Sequence, residues 1–387
     1  VEPVGIGNGV LELNHIRLPL FIIINVGHKS HCWDIFSPKG GAEVQEILEL
    51  QKKIVPELVE VLEKRYNVLR TIYYNQPIGR RMLASELDLG ERVVRNEIDL
   101  LKSQNLIEIN TPGMTVTKDG QNVLEGLKEF IYQIKGLNDI EKCIKSFLGV
   151  KDVVIVPGNV NENPETIKEL GKAAANYVKN IIKDHDIIAI TGGSTIKEVV
   201  EAFPKINNVS DILVIPARGG MGRKVESQAN YLAASLANKL DGTYKLLHIP
   251  ENVSLNVLEG LLKEKQIKEV IDNIHNADIL IYGIGNAIHM AKKRGLSEEY
   301  ISKLKSIGAV GEAYGCYFNK NSQVVSENTP IGINFNDSKK INTHIAVAAG
   351  ENKVEAIIAT EMNNEKAVLV TDEAAGRKIA KLIESHK

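Results

Sequence analysis

Three observations predict an α/β protein whose parallel sheet follows a smaller, mainly helical module. Short, nearly continuous apolar runs rich in β-branched residues start at Asp152 (DVVIV), Asp186 (DIIAIT), Asp211 (DILVIPA) and Ala277 (ADILIYGIG). Runs of this kind are expected of strands buried on both faces, as in parallel sheets covered by helices. Helical segments such as 166–182 and 227–240 separate those runs, as parallel crossovers require. Ahead of residue 150 the texture differs: apolar residues recur at three- and four-residue spacings through a Lys/Glu-rich background.

The chain has 387 residues, enough for two or three domains, and its 43 % hydrophobic and 25 % charged content is that of a folded globular protein. Lys and Arg number 47 against 49 Asp and Glu, so any nucleic-acid surface must be local. The three cysteines, Cys32, Cys143 and Cys316, are too few and too far apart for a disulfide framework or a CxxC site, which fits a reducing cytoplasm. The longest apolar run (LPLFIIINV, 18–26) is about half of the ~20 residues that a bilayer demands, so no membrane role is expected.

Residues 1–43 lack a sustained period and read as a leader outside the folded protein. Lys39-Gly40-Gly41 can be encoded by a purine-rich ribosome-binding sequence and Val44 by GTG, which would place the native start at Val44; an irregular but genuine arm is the other reading. His28, His31 and Cys32 have a spacing suggestive of zinc but no evident fourth ligand, and no metal is expected.

Residues 44–117 form the next part. Val44, Ile47, Leu48 and Ile54, then Leu58, Val61, Leu62 and Leu69, mark amphipathic helices, the second opened by Pro56. Residues 81–87 read as a short helix, Asp88-Leu89-Gly90 as a turn and residues 91–104 as a second helix. On that second helix Val94, Ile98 and Leu101 would face a small core, leaving Arg92, Asn96 and Asp99 opposite, with Arg95 at the edge. Arg and Asn are the side chains that read guanine and adenine edges in the major groove. A hairpin of alternating residues follows (106–109 and 114–117 around Thr111-Pro-Gly), completing a winged helix-turn-helix; a helical protein-interaction module with solvated arginines is the other reading. Eight cations against five acids over residues 64–102, Arg80 and Arg81 among them, supply charge for DNA phosphates. Residues 118–150 read as an amphipathic helical linker, a pattern that fits assistance to dimerisation and simple packing on the next domain equally well.

Residues 151–387 are the predicted sheet domain, Rossmann-like in layout, with ligands expected at the carboxyl ends of its strands. Four glycine-containing loops fall there: Thr191-Gly-Gly-Ser-Thr, Ala217-Arg-Gly-Gly, Tyr282-Gly-Ile-Gly-Asn-Ala and Ala348-Ala-Gly-Glu-Asn-Lys. Gly193 frees backbone amides for an anion, Ser194 and Thr195 add hydroxyls at a helix start, and Arg218 offers a phosphate fork. GIGNAI is not GxGxxG, and no GxxxxGK[ST] occurs, so neither a nicotinamide nor an ATP reading is supported and no cofactor is expected. Glu312 and His289 are the acid/base candidates near a sugar, but they make no catalytic constellation.

A winged helix-turn-helix joined to an α/β phosphate-binding domain resembles the SorC/DeoR-like bacterial transcriptional regulators. The resemblance runs from Val44 nearly to the C-terminus and is carried by Gln76-Pro-Ile-Gly-Arg-Arg, Gly90-Glu-Arg-Val-Val-Arg, Thr191-Gly-Gly-Ser-Thr, Ala217-Arg-Gly-Gly and Val310-Gly-Glu-Ala-Tyr-Gly-Cys-Tyr-Phe. It implies a homo-oligomeric (dimer or tetramer) cytoplasmic repressor of a glycolytic operon, with operator DNA and fructose 1,6-bisphosphate as ligands. It also implies an effector domain similar in fold to glucosamine-6-phosphate deaminase and ribose-5-phosphate isomerase. Deaminases carry Asp-Gly-His where this chain has Asn286-Ala-Ile, which removes that chemistry and argues against the alternative, a sugar-phosphate enzyme with an accessory helical domain. By the same resemblance Ser194, Thr195, Arg218, Gln228, Lys293, Glu312 and Lys353 are effector-binding positions.

Overall fold

The computed structural model describes residues 54–206, 208–219, 224–249, 260–327 and 331–385. The leader, the start at Val44 and the His28/His31/Cys32 cluster lie outside them. The fold described below lies in the compact unit Glu57–Lys387.

Helix α1 (Pro56–Asn75) leads into α2 (Arg80–Glu86) and α3 (Glu91–Ser103), followed by the antiparallel pair β1 (Ile107–Asn110) and β2 (Gly113–Val116). The turn between α2 and α3 passes through Asp88 at φ 49°, a left-handed position that Asp tolerates. Gly113 is dictated by a close approach, since a Cβ there would lie 2.8 Å from the Ile78 carbonyl oxygen. Met114 and Ile78 exchange backbone hydrogen bonds at 2.8 and 3.2 Å, which ties the hairpin to the start of α2. Leu69, Ile72, Leu83, Val94, Ile98, Leu101 and Ile107 close a small core. Burying each such side chain contributes about 1.5–3 kcal/mol. At the N-terminal end of α1, in contrast, Leu58 and Val61 are exposed, although their spacing had suggested a buried face.

The predicted linker is two helices, α4 (Lys118–Ile134) and α5 (Leu137–Leu148). Gly136 separates them at φ 63°, a left-handed conformation that ends the first helix. The break lets one apolar pattern serve two cores. Leu124 and Ile131 pack with the α1–α3 residues, whereas Leu137, Ile144 and Leu148 pack under the large sheet.

That sheet contains β3 (Asp152–Val156), β4 (Ile187–Ile190), β5 (Leu213–Pro216), β6 (Thr243–Tyr244), β7 (Ile279–Asn286), β11 (Thr343–Val347) and β12 (Ala367–Asp372), all parallel, in the order β6-β5-β4-β7-β11-β12-β3. Between β7 and β11 the chain adds β8 (Ala309–Ala313), β9 (Cys316–Asn319) and β10 (Val324–Glu327), paired antiparallel outward from the end of β7. Helices α6 (Thr166–Ile181), α7 (Ser194–Ala202) and α8 (Ala229–Lys239) contribute to the core on one sheet face. Helices α9 (Lys265–His275), α12 (Val354–Glu361) and α13 (Glu373–Ser385) contribute, with α5, to the core on the other. Along β7, Ile279 and Ile281 enter the first core and Leu280, Tyr282 and Ile284 the second, as a period of two requires. Helices α10 (Ala287–Lys293) and α11 (Glu298–Ser306) complete this region. Among the described residues no helix is long and apolar enough to cross a membrane.

Two predicted features change. Tyr282-Gly-Ile-Gly-Asn is not a loop: it is the second half of β7, and α10 begins directly after Asn286, whose side chain accepts the His289 N–H at 3.2 Å. Gly283 and Gly285 look like punctuation in sequence, but a Cβ at Gly285 would lie 2.4 Å from Met290 Cγ, so it is a packing glycine within a strand. The helix foreseen at 227–240 starts at Ala229, after a 3₁₀ turn at Val225–Ser227.

A buried polar network lies beneath β7. Tyr282 donates to Glu361 (2.9 and 3.0 Å), Asn364 also donates to Glu361 (3.0 Å), and Asn364 and His344 meet at 3.2 Å. Burial pushes the Glu361 carboxyl up to about 7 against those hydrogen bonds, and pushes His344 down to about 4. A raised carboxyl holds its proton more tightly when folded, so its contribution is present at low pH and is lost as pH rises through its folded value of about 7. The depressed imidazole acts with the opposite sign, costing stability as pH falls through the unfolded histidine range near ~6.5 toward its folded value. The two slopes therefore oppose each other. Glu361→Gln should unmask the histidine, giving a melting temperature that climbs more steeply with pH between about 4 and 6.5 than in the parent; a slope no steeper than the parent's would contradict this assignment.

Candidate functional site

From β4 the chain proceeds to β5 and β6 on one side, and from β7 to β11 and β12 on the other, so β4 and β7 flank the topological switch point. Ligands in open α/β sheets bind in the crevice at that point. A cavity of about 430 Å³ opens there.

One wall is the β4–α7 connection. A Cβ at Gly192 would lie 2.7 Å from the Ser227 carbonyl oxygen, and Gly193 adopts φ 131°, so neither position accommodates a side chain easily. The Gly193 N–H donates to the Ser227 carbonyl (2.8 Å), so the amides left for an anion are those of the first turn, at Ser194 and Thr195. No side chain caps α7, which leaves its positive end open to the cavity.

Facing it are cations from three other strand ends. Arg218, buried, follows β5; Lys293 and Arg294 come from the last turn of α10 and just beyond it; and Lys353 follows β11. Burial lowers the Lys353 pKa and Lys293 lowers it further, against the pull of Asp372. Glu312 of β8 is 2 % exposed, accepts from Arg294 at 2.6 Å and from the Gly315 N–H at 2.7 Å, and lies 3.7 Å from Arg218. Among the described residues the lining thus carries four cations (Arg218, Lys293, Arg294 and Lys353) against one carboxylate, an excess that favours a multiply charged anion. Glu312, paired with arginine, is held as an acceptor, which suits it to sugar hydroxyls.

The cavity brings together Gly193, Ser194, Thr195, Arg218, Lys293, Glu312 and Lys353. Gln228 does not line it; the residue precedes α8, and its neighbour Ala229 takes the place on the wall. Sequence reasoning passed over Tyr314, Met290 and Asn352, which also line it. Tyr314 lies within Val310-Gly-Glu-Ala-Tyr-Gly but carries no charge to single it out.

In the N-terminal module Arg80, Arg81, Arg92, Arg95 and Asn96 are all exposed, while Val94, Ile98 and Leu101 are buried, so α3 presents the polar face its sequence foretold. Arg81 stands 3.7 Å from Glu91, an exposed pair that is easily exchanged for phosphate. Lys64 and Arg65, part of the local positive excess, are instead paired with Glu97 at 2.9 and 3.2 Å.

Comparison with known proteins matches both parts. A family of sugar-binding domains covers residues 132–381, and the family described as the CggR N-terminal DNA binding domain covers residues 61–131. The chain is 39 % identical over 336 residues to the central glycolytic genes regulator of Bacillus subtilis, covering 87 % of this chain and 99 % of that protein. It is 37 % identical over 339 residues to the regulator of the same name from Priestia megaterium, again over 87 % and 99 %. Among solved structures, a SorC family transcriptional regulator from Enterococcus faecalis superposes with a TM-score of 0.59 at 33 % identity, over 62 % of this chain and 99 % of that one. The full-length sorbitol operon regulator SorC from Klebsiella pneumoniae shares the fold over 81 % of this chain and 97 % of its own, with a TM-score of 0.57 at 18 % identity. With a DNA-binding domain ahead of a sugar-binding parallel-sheet domain, the chain belongs to the SorC-like family of transcriptional regulators, in the group of the central glycolytic genes regulators.

Proposed function

We propose that the protein represses glycolytic genes and that a doubly phosphorylated sugar, fructose 1,6-bisphosphate, controls its hold on operator DNA. The observation that carries the effector reading is the charge layout of the switch-point cavity, an uncapped helix start on one wall and cations from three other strand ends facing it. One phosphate is assigned to the amides and hydroxyls of Ser194 and Thr195 at the turn made by Gly193; the other is assigned to Lys293, Lys353 and Arg218, with Glu312 accepting from sugar hydroxyls. The family resemblance adds Gln228 to the same set, beside the wall residue Ala229.

In this reading α2, the turn, α3 and the β1–β2 hairpin act as a winged helix-turn-helix. Arg92, Arg95 and Asn96 enter the major groove, and Arg80 and Arg81 meet phosphates. The protein acts in the cytoplasm as a dimer or tetramer, because paired winged modules are what a two-fold operator requires. Its sheet domain, similar in this reading to the deaminase and isomerase fold, binds without turnover.

The effector assignment predicts a measurable selectivity. At ~100 times its dissociation constant the bisphosphate should add about 2.7 kcal/mol, or roughly 5–10 °C in melting temperature. Fructose 6-phosphate at the same concentration, lacking one phosphate, should give about 1–2 °C if it binds ~100-fold more weakly. Equal shifts would remove the two-anchor assignment.

A further inference from the structure

One short segment, 157–160, stands between the cavity and the DNA-binding module and is gripped from both sides. On the cavity side Asp372, fully buried at the end of β12, accepts the Gly350 N–H at 2.9 Å and the Val160 N–H at 3.0 Å. Gly350 opens the loop that carries Asn352 and Lys353 into the cavity. A single carboxylate thus ties the Lys353 loop to segment 157–160.

On the other side, Arg70 of α1 is 4 % exposed, and its guanidinium donates to the Pro157 carbonyl (3.3 Å) and to Thr166 Oγ1 (3.2 Å). Among the described residues its Nε has no partner, which marks a side chain buried at a cost in desolvation and held for its other contacts. Gly158 makes the fit possible. It sits at φ 112°, and a Cβ there would lie 3.0 Å from Thr166 Oγ1 and 3.2 Å from Arg70 Nη2. The Gly158 N–H donates to Glu373 (3.0 Å), which also accepts from Lys135 (2.8 Å), the residue that ends α4.

We propose that segment 157–160, clamped by Asp372 on the cavity side and by Arg70 on the DNA-binding side, transmits effector binding to the DNA-binding module, with Arg70 as the positioning residue of that link. The inference rests on the effector reading above and adds the route by which it acts. Effector phosphate on Lys353 moves or stiffens the loop headed by Gly350. Asp372 passes the change to Val160, and the Pro157 carbonyl and Thr166 hydroxyl pass it to α1, whose residues share a core with α2 and α3. A ligand shifts such an equilibrium only through contacts that differ between the two states, and of the contacts at this seam, which also include Tyr74 with Glu169 and Lys172, those of Arg70 are the ones that reach segment 157–160.

The test uses the full chain with Arg70→Met and, as a milder change that keeps side-chain shape, Thr166→Val. The probe is a DNA duplex selected by the protein from a random library, and the readout is the ratio of its dissociation constants with and without saturating fructose 1,6-bisphosphate. The parent should show a ratio of about 5–150 in either direction, the usual range of allosteric coupling. Arg70→Met should bring it close to one and Thr166→Val part of the way, while both keep a cooperative melt and bind the sugar within about twofold of the parent's affinity, a combination that reports lost coupling rather than lost binding. Either variant folding with the parent's ratio intact overturns the link while leaving the effector reading in place. A parent ratio of one overturns the effector reading, and the link with it.

Discussion

Operator affinity should fall by a factor of about 5–150 when Arg92 or Arg95 is replaced by alanine, the equivalent of roughly 1–3 kcal/mol for a bidentate guanine contact. Both side chains are exposed on α3 with Asn96, while Val94, Ile98 and Leu101 hold the helix to the core, so alanine removes contacts to DNA without opening a cavity. The salt dependence separates two roles. A base-reading arginine loses affinity for the operator and not for unrelated duplexes, whereas a phosphate-contacting one weakens all sequences and reduces the slope against log salt by about one. Arg80→Ala and Arg81→Ala should follow the second pattern. Operator binding unchanged in both α3 variants would remove α3 as the reading helix.

Lys353→Met should remove half or more of the stabilisation by fructose 1,6-bisphosphate while leaving the unliganded protein as stable as its parent. The two halves of this expectation have one cause. Burial depresses the lysine pKa, so the free protein holds this charge at an electrostatic disadvantage that methionine relieves. Asp372, which loses a neighbouring cation, keeps the backbone N–H groups of Val160, Gly350 and Ala375 as donors. The phosphate has no such substitute. A lost charge-assisted hydrogen bond of about 1.5–3 kcal/mol weakens the sugar roughly 10–150-fold. At a concentration that raises the parent by about 5–10 °C, the variant should then retain only a few degrees. A full shift in Lys353→Met would show that the second phosphate lies elsewhere.

Much of this molecule is legible along the chain because its signals are local. The β-branched runs at β3, β4, β5 and β7, and the i, i+4, i+7 spacing of Val94, Ile98 and Leu101, each report burial through period alone. Other features depend on distant neighbours. The glycines of Tyr282-Gly-Ile-Gly suggest a loop until Ile196 and Met290 are seen packed against them. Gly136 divides an unbroken apolar pattern between two cores that the sequence does not distinguish. The Ser227 carbonyl that takes the Gly193 amide lies on another connection, beyond the reach of any motif. Arg294 and Glu312 are separated by 18 residues and Arg70 and Thr166 by 96, so neither pairing leaves a periodic trace.

The most direct test of the account is operator affinity measured with the intact protein in parallel titrations of fructose 1,6-bisphosphate and fructose 6-phosphate. The account predicts that saturating bisphosphate shifts the dissociation constant of the selected duplex at least about fivefold, the lower end of allosteric coupling, and that the monophosphate at the same concentration leaves it near its starting value. An operator affinity indifferent to the bisphosphate, or shifted equally by both sugars, would contradict it.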